Sequence, residues 1–170
     1  MTSSLIQPNY VMTPILAFDI ETIPDVNGIR QLYDLPADLP DNEVVLFAQQ
    51  QRRAKTGSDF MQHHLHQVVA ISCCMRWGQD KIRVSTIGDP EDSEEVMIAK
   101  FFEVIENYTP QLVSWNGGGF DLPVLHYRAL IHGISAARSW DMGDGDFGDS
   151  RDSKWHNKIS RYHTRHRELM

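Results

Sequence analysis

The segment Ile15-Leu16-Ala17-Phe18-Asp19-Ile20-Glu21-Thr22 constrains the fold more than any other. An apolar run that passes into alternating apolar and acidic residues is strand chemistry, because side chains on a strand alternate faces with period two. The spacing predicts a first strand over 14–20, with Asp19 and Glu21 on one face and Phe18 and Ile20 on the other. Two carboxylates side by side at the end of a buried strand repel each other and resist desolvation. Either the strand runs out into water and both acids are hydrated, or a cation offsets their charge. Hard oxygen donors of this kind suit Mg²⁺ or Mn²⁺.

At 170 residues, 41% apolar and 23% charged, the chain has the size and composition of one globular domain. Residues 13–170 form that domain and 1–12 an N-terminal extension, Met12 offering a second start. No run of 18 apolar residues occurs, and the first residues lack the basic start and apolar stretch of a signal peptide. The two cysteines, Cys73 and Cys74, are strand neighbours that point to opposite faces, so no bridge is expected between them. A reduced, cytoplasmic protein follows. A net charge of −7 excludes a general nucleic-acid coat. It leaves room for a local basic track, such as Arg151, Lys154, Lys158, Arg161, Arg165 and Arg167.

After the first strand a long connection, 22–66, contains a helix over 42–55 with Asp41 as its N-cap. The run 68–77 is almost continuously apolar and predicts a central strand buried on both faces. A turn at 78–80 leads to a hairpin partner over 81–87. Asp89 and Pro90 read as the N-cap and first residue of the next helix. Ile98, Phe101, Val104 or Ile105, and Tyr108 form its core stripe, and Pro110 stops it. A short strand (111–115), a glycine loop (116–119) and a helix (120–132) follow. This order describes a mixed α/β domain. The Gly- and Asp-rich stretch 141–152 does not have the spacing of a calcium loop.

The second chemical signal is Asn116-Gly117-Gly118-Gly119-Phe120-Asp121. Three glycines permit a sharp turn and the close approach of another molecule. Asp121 opens a helix, as an N-cap or as a ligand. Asn116 is either a turn former or a substrate contact, and Phe120 either core or a stacking surface. Together with Asp19-Ile20-Glu21-Thr22, this motif resembles the DEDD superfamily of 3′–5′ exonucleases. The nearest likeness is to the predicted exonucleases related to the proofreading domain of B-family DNA polymerases. Residues 63–73, 108–117 and 120–130 also look like that family, and the likeness runs from about Thr13 to the last residue.

The resemblance implies a ribonuclease H-like mixed sheet flanked by helices, and two divalent cations (Mg²⁺ or Mn²⁺) about 3.5–4 Å apart. It assigns Asp19, Glu21 and Asp121 as catalytic metal ligands, Thr22 to the terminal nucleotide, and Asn116 and Phe120 to the substrate strand, a single-stranded 3′ end. The family also uses a fourth carboxylate, as Tyr-x-x-x-Asp or as His with Asp five residues on; no tyrosine here has Asp in that place. The nearest acid is Glu168, after His163, in a segment that resembles the family's His-x-Asp-Leu-Met strand. The chain is therefore expected to lack the final helices, to expose apolar surface that favours homo-oligomers, and to be one ligand short. A non-catalytic module that grips nucleic-acid ends is the alternative. A zinc site built from His63, His64, His66, Cys73 and Cys74 is disfavoured by their spacing.

Overall fold

The computed structural model describes residues 12–136 and 166–169. The extension before Met12, the acidic 141–152 stretch, His163 and the basic residues between 151 and 165 lie outside the described residues. The elements are β1 (Ile15–Pro24), α1 (Val26–Tyr33), α2 (Asp41–Thr56), a 3₁₀ turn (His63–Leu65), β2 (His66–Trp77), β3 (Lys81–Thr86), α3 (Glu94–Tyr108), β4 (Gln111–Ser114), α4 (Asp121–Ile131) and β5 (His166–Glu168). They form a five-stranded sheet in the order β3-β2-β1-β4-β5. β1, β2 and β3 pair antiparallel, while β4 pairs parallel with β1 and β5 parallel with β4. This mixed α/β sheet is the ribonuclease H-like arrangement expected from the motifs. Among the described residues no helix is long and apolar enough to cross a membrane.

The central strand earns its place through its apolar face. Leu16, Phe18 and Ile20 are at most 6% exposed and pack in one cluster with Ile98, Phe101, Phe102 and Ile105 of α3 and Leu122 and Leu125 of α4. Each such side chain contributes about 1.5–3 kcal/mol by leaving water. The opposite face of β1 carries Asp19 and Glu21, both exposed, as the period-two pattern requires.

Several local expectations are corrected. β1 runs on to Pro24, past the predicted end, across a register shift at Glu21/Thr22. Glu21 faces Ala70 and Thr22 faces Val68, so Val69 is the extra residue of a β-bulge. The bulge turns Val69 outward (42% exposed), and β2 is buried at Val68, Ile71 and Met75 rather than on both faces. Asp41 is the first residue of α2, not its cap, and pairs with Arg30 at 2.8 Å.

α3 starts at Glu94 with Ser93 as N-cap, later than Asp89 and Pro90 suggested. Asp92 accepts the Asp89 N–H at 2.8 Å and binds Lys100, closing a turn that delays the helix. Tyr108 leaves the predicted core stripe: it is 48% exposed and only rests against the Trp77 ring.

α1 is an addition to the helices that the sequence pattern predicts. Its N-cap Asp25 accepts the Gly28 N–H at 2.9 Å, and a Cβ at position 28 would lie 2.7 Å from Asp25 Oδ2. Gly28 is thus needed for the cap and at the same time weakens the helical signal in the sequence. With α2 and the 3₁₀ turn, α1 buries Ile29, Val44, Ala48, Met61 and Leu65 in a second small core. The long connection is a packed layer beside the sheet.

Candidate active site

Asp121 is brought to β1 by the first turn of α4. It is 3% exposed, where Asp19 is exposed. Phe120 occupies the cap position and Asp121 is the first helical residue, so capping does not explain the aspartate. Burial, and then the charge of Asp19, push the Asp121 carboxyl up to about 6, against hydrogen bonds from its own backbone N–H and that of Ile20. Asp19 and Asp121 therefore form a like-charged pair across the junction of strand and helix.

A carboxyl raised in this way destabilises the metal-free fold. Below the unfolded value, near 4, both states are protonated and no penalty exists. Between there and about 6 the unfolded chain ionises first, and above about 6 the penalty is complete. One pKa unit corresponds to about 1.4 kcal/mol, and with solvent screening Asp121→Asn should stabilise the metal-free protein by about 1–2 kcal/mol at pH 7. The gain should vanish near pH 4. Urea midpoints of both proteins across this range test it; a variant no more stable than the parent at pH 7 would refute the buried charge.

The glycine loop is shaped by what lies beneath it. Asn116 adopts a left-handed conformation (φ 55°), and its carbonyl accepts the N–H groups of Gly119 and Phe120 at 3.0 and 3.1 Å. That geometry accounts for an asparagine as turn former. Gly117 sits directly on the buried Ser114 Oγ···His166 Nε2 hydrogen bond (2.7 Å), which ties β4 to β5. A Cβ on Gly117 would stand 1.9 Å from Ser114 Oγ and 2.6 Å from Ser114 Cβ. Gly117→Ala is expected to cost about 1–3 kcal/mol by overpacking and to displace the loop that delivers Asp121. A thermal midpoint equal to that of the parent would show that the loop tolerates the methyl.

Glu168 stands opposite Ser114 on β5, with β4 between it and β1. Its carboxylate accepts the Gly118 N–H at 3.0 Å, so it braces the glycine loop. Trp115 and Leu169, 64% and 61% exposed, line a shallow cleft of about 380 Å³ with Asp19.

Thr22 lies next to His66, with Oγ1 and Nδ1 3.1 Å apart. His66 Nε2 faces the Met61 carbonyl at 3.3 Å and must donate to it. Burial lowers the His66 pKa, with the Met61 hydrogen bond opposing and His63 adding to the effect. A neutral ring protonated at Nε2 leaves Nδ1 to accept the Thr22 hydroxyl proton. The His66 and Phe120 rings lie nearly perpendicular, with centroids 5.0 Å apart. In the sequence this histidine stands out only as a disfavoured zinc candidate and as part of the family-like segment 63–73; its service to Thr22 is a tertiary fact.

Among the described residues no three His, Cys, Asp or Glu side chains stand close enough to enclose a metal ion. Asp19 and Asp121 are electrostatically coupled, and Glu21 joins them through strand alternation alone. The donor chemistry fits a hard divalent cation: all three are carboxylates, and the Asp19–Asp121 repulsion is what a cation relieves.

The chain matches, over residues 58–170, the model of the family described as "Predicted 3′-5′ exonuclease related to the exonuclease domain of PolB", and it belongs to that family. DNA polymerase 1 of Sulfolobus acidocaldarius is 46% identical over 39 residues, a stretch that is 23% of this chain and 4% of that protein. The family B DNA polymerase of Pyrobaculum calidifontis aligns in structure with a TM-score of 0.44 and 18% identity, covering 74% of this chain and 12% of the polymerase.

Proposed function

We propose that this chain is a cytoplasmic, divalent-metal-dependent 3′–5′ exonuclease domain acting on unpaired 3′ ends, in the first place of single-stranded DNA. The observation that supports it best is the buried Asp121 carboxyl, pushed up to about 6 by burial and then by the charge of Asp19. Asp19, Asp121 and Glu21 would hold Mg²⁺ or Mn²⁺. When bound, such a cation would supply Lewis acidity toward a phosphate oxygen and toward water.

The chain's own residues orient the strand. Thr22, its hydroxyl proton committed to His66, presents oxygen lone pairs toward the terminal nucleotide. Phe120, half-buried against His66, offers a ring edge to the last base, and the exposed Asn116 borders the strand's path. The long connection, with Arg52, Arg53 and Lys55, adds positive charge near the backbone. A second copy seated on the exposed Trp115 and Leu169 belongs to the same reading. Light scattering that finds only monomers would remove this element.

A non-catalytic nucleic-acid-binding module is the second reading. One observation favours it: Glu168, the acid nearest in sequence to the missing fourth position, is engaged by the Gly118 N–H. The two are separated by incubating 5′-labelled single-stranded DNA with the protein and Mn²⁺ or Mg²⁺. A ladder shortening from the 3′ end establishes the exonuclease. Binding without shortening establishes the module.

A further inference from the structure

The rings beside Thr22 do not stop at Phe120. Phe60, from the segment after α2, lies with its centroid 5.6 Å from Phe120 and 5.2 Å from His66. His63 is 6.0 Å from Phe120 and stacks on Tyr127 at 6.5 Å, with planes 19° apart. Phe120, at the cap of α4, and Tyr127 within α4 are joined through His63. The rings make one wall, from the Thr22 hydroxyl to the middle of α4.

Phe60 is 54% and Tyr127 47% exposed, with half-buried His63, His66 and Phe120 between them, and an aromatic surface reaching solvent beside a candidate site marks a binding surface. A cation accompanies it: Arg52 donates through Nε to the Phe60 carbonyl at 3.2 Å, which holds the guanidinium at the Phe60 backbone. In a chain of net charge −7, this arginine places a positive charge next to exposed Phe60. Flat π faces next to a cation suit nucleobases joined by phosphates. Duplex bases are already stacked on each other and cannot use such a wall; unpaired bases can.

We propose that Phe60, His63 and Tyr127 form a stacking platform for the unpaired bases preceding the 3′-terminal nucleotide, with Arg52 at the intervening phosphates. The proposal rests on the exonuclease reading for its ligand, and Phe120 already belongs to that reading. The platform extends the site away from the carboxylates and makes it selective for single strands.

The test measures anisotropy of a 5′-fluorescein oligothymidylate of about ten nucleotides, a length within one single-strand site. The metal-free full-length chain is used, so that nothing is cut. A second oligonucleotide is abasic at the positions preceding its 3′-terminal nucleotide. The intact strand should bind about tenfold more tightly than the abasic one. In Tyr127→Leu and Phe60→Leu, which keep apolar volume but lose the ring, the two strands should bind within about twofold of each other. Melting temperatures near that of the parent show that these variants fold. Equal binding of intact and abasic strands by the parent, or no binding of either, overturns the platform. So does a tenfold preference that persists in both folded variants. Failure to shorten DNA with metal present counts against the exonuclease reading and leaves base-dependent binding standing; shortening with base-independent binding does the reverse.

Discussion

Asp19→Ala should slow shortening of a labelled single strand by about a hundredfold to a thousandfold, because charge stabilisation at a metal site is worth several kcal/mol and each 1.4 kcal/mol is a factor of ten. The fold should survive. Asp19 is exposed on β1, and its neighbours Phe18 and Ile20 carry the burial. Removing its charge also relieves Asp121 of part of its upward shift, while burial, the larger cause, remains. The variant is therefore expected to be at least as stable as the parent without metal, and to lose the stabilisation that added Mn²⁺ gives the parent. Single-turnover cleavage and thermal midpoints with and without Mn²⁺ check both halves. A variant as fast as the parent would end the assignment of Asp19. A slow variant that melts many degrees lower would show that the loss came from unfolding.

The largest expected effect on stability is at Arg128, a residue on the same helix as Asp121. It is 4% exposed and binds Glu94 by two hydrogen bonds, Nε donating to Oε1 at 2.8 Å and a terminal nitrogen to Oε2. The other terminal nitrogen reaches Asp25 and the His64 carbonyl. Glu94, also buried, accepts the Val68 N–H at 2.7 Å and His132 Nε2 at 2.8 Å. One guanidinium thus joins α4, α3, the cap of α1 and the 3₁₀ turn, and Glu94 carries the cluster on to β2. Burial opposes its charge, and the bonds to Glu94 and Asp25 more than offset this, so its pKa is raised.

Arg128→Met would leave Glu94 buried without its charge partner, which typically costs about 3–5 kcal/mol. Replacing Glu94 by Gln in the same chain should recover part of the loss, since the uncompensated charge is then gone. Urea midpoints of the parent, the single and the double variant decide it. A single variant within about 1 kcal/mol of the parent would mean that water already screens this cluster.

Much of the architecture was legible in the residues. Period-two alternation placed Asp19 and Glu21 on one face and Phe18 and Ile20 in the core, and both are found so. The spacing of Ile98, Phe101 and Ile105 announced a buried helix face. These patterns are legible because they depend on backbone periodicity, which is local. What was misread depended on competition between neighbours. Ser93 rather than Asp89 caps α3 because Asp92 closes the preceding turn. Val69 escapes burial because a bulge shifts the register at Glu21.

The sequence by itself determined the mixed α/β class, the shared face of Asp19 and Glu21, and the glycine loop ahead of Asp121. These follow from strand and helix periods and from the freedom of glycine. Only the tertiary structure decided that Asp121 meets Asp19, that Glu168 braces Gly118, that His66 holds the Thr22 proton, and that Phe60, His63 and Tyr127 line up beside them. Each of those pairs is brought together by strand pairing or helix docking across dozens of residues. A distance of that kind is set by how the sheet and helices pack, and no local pattern encodes it.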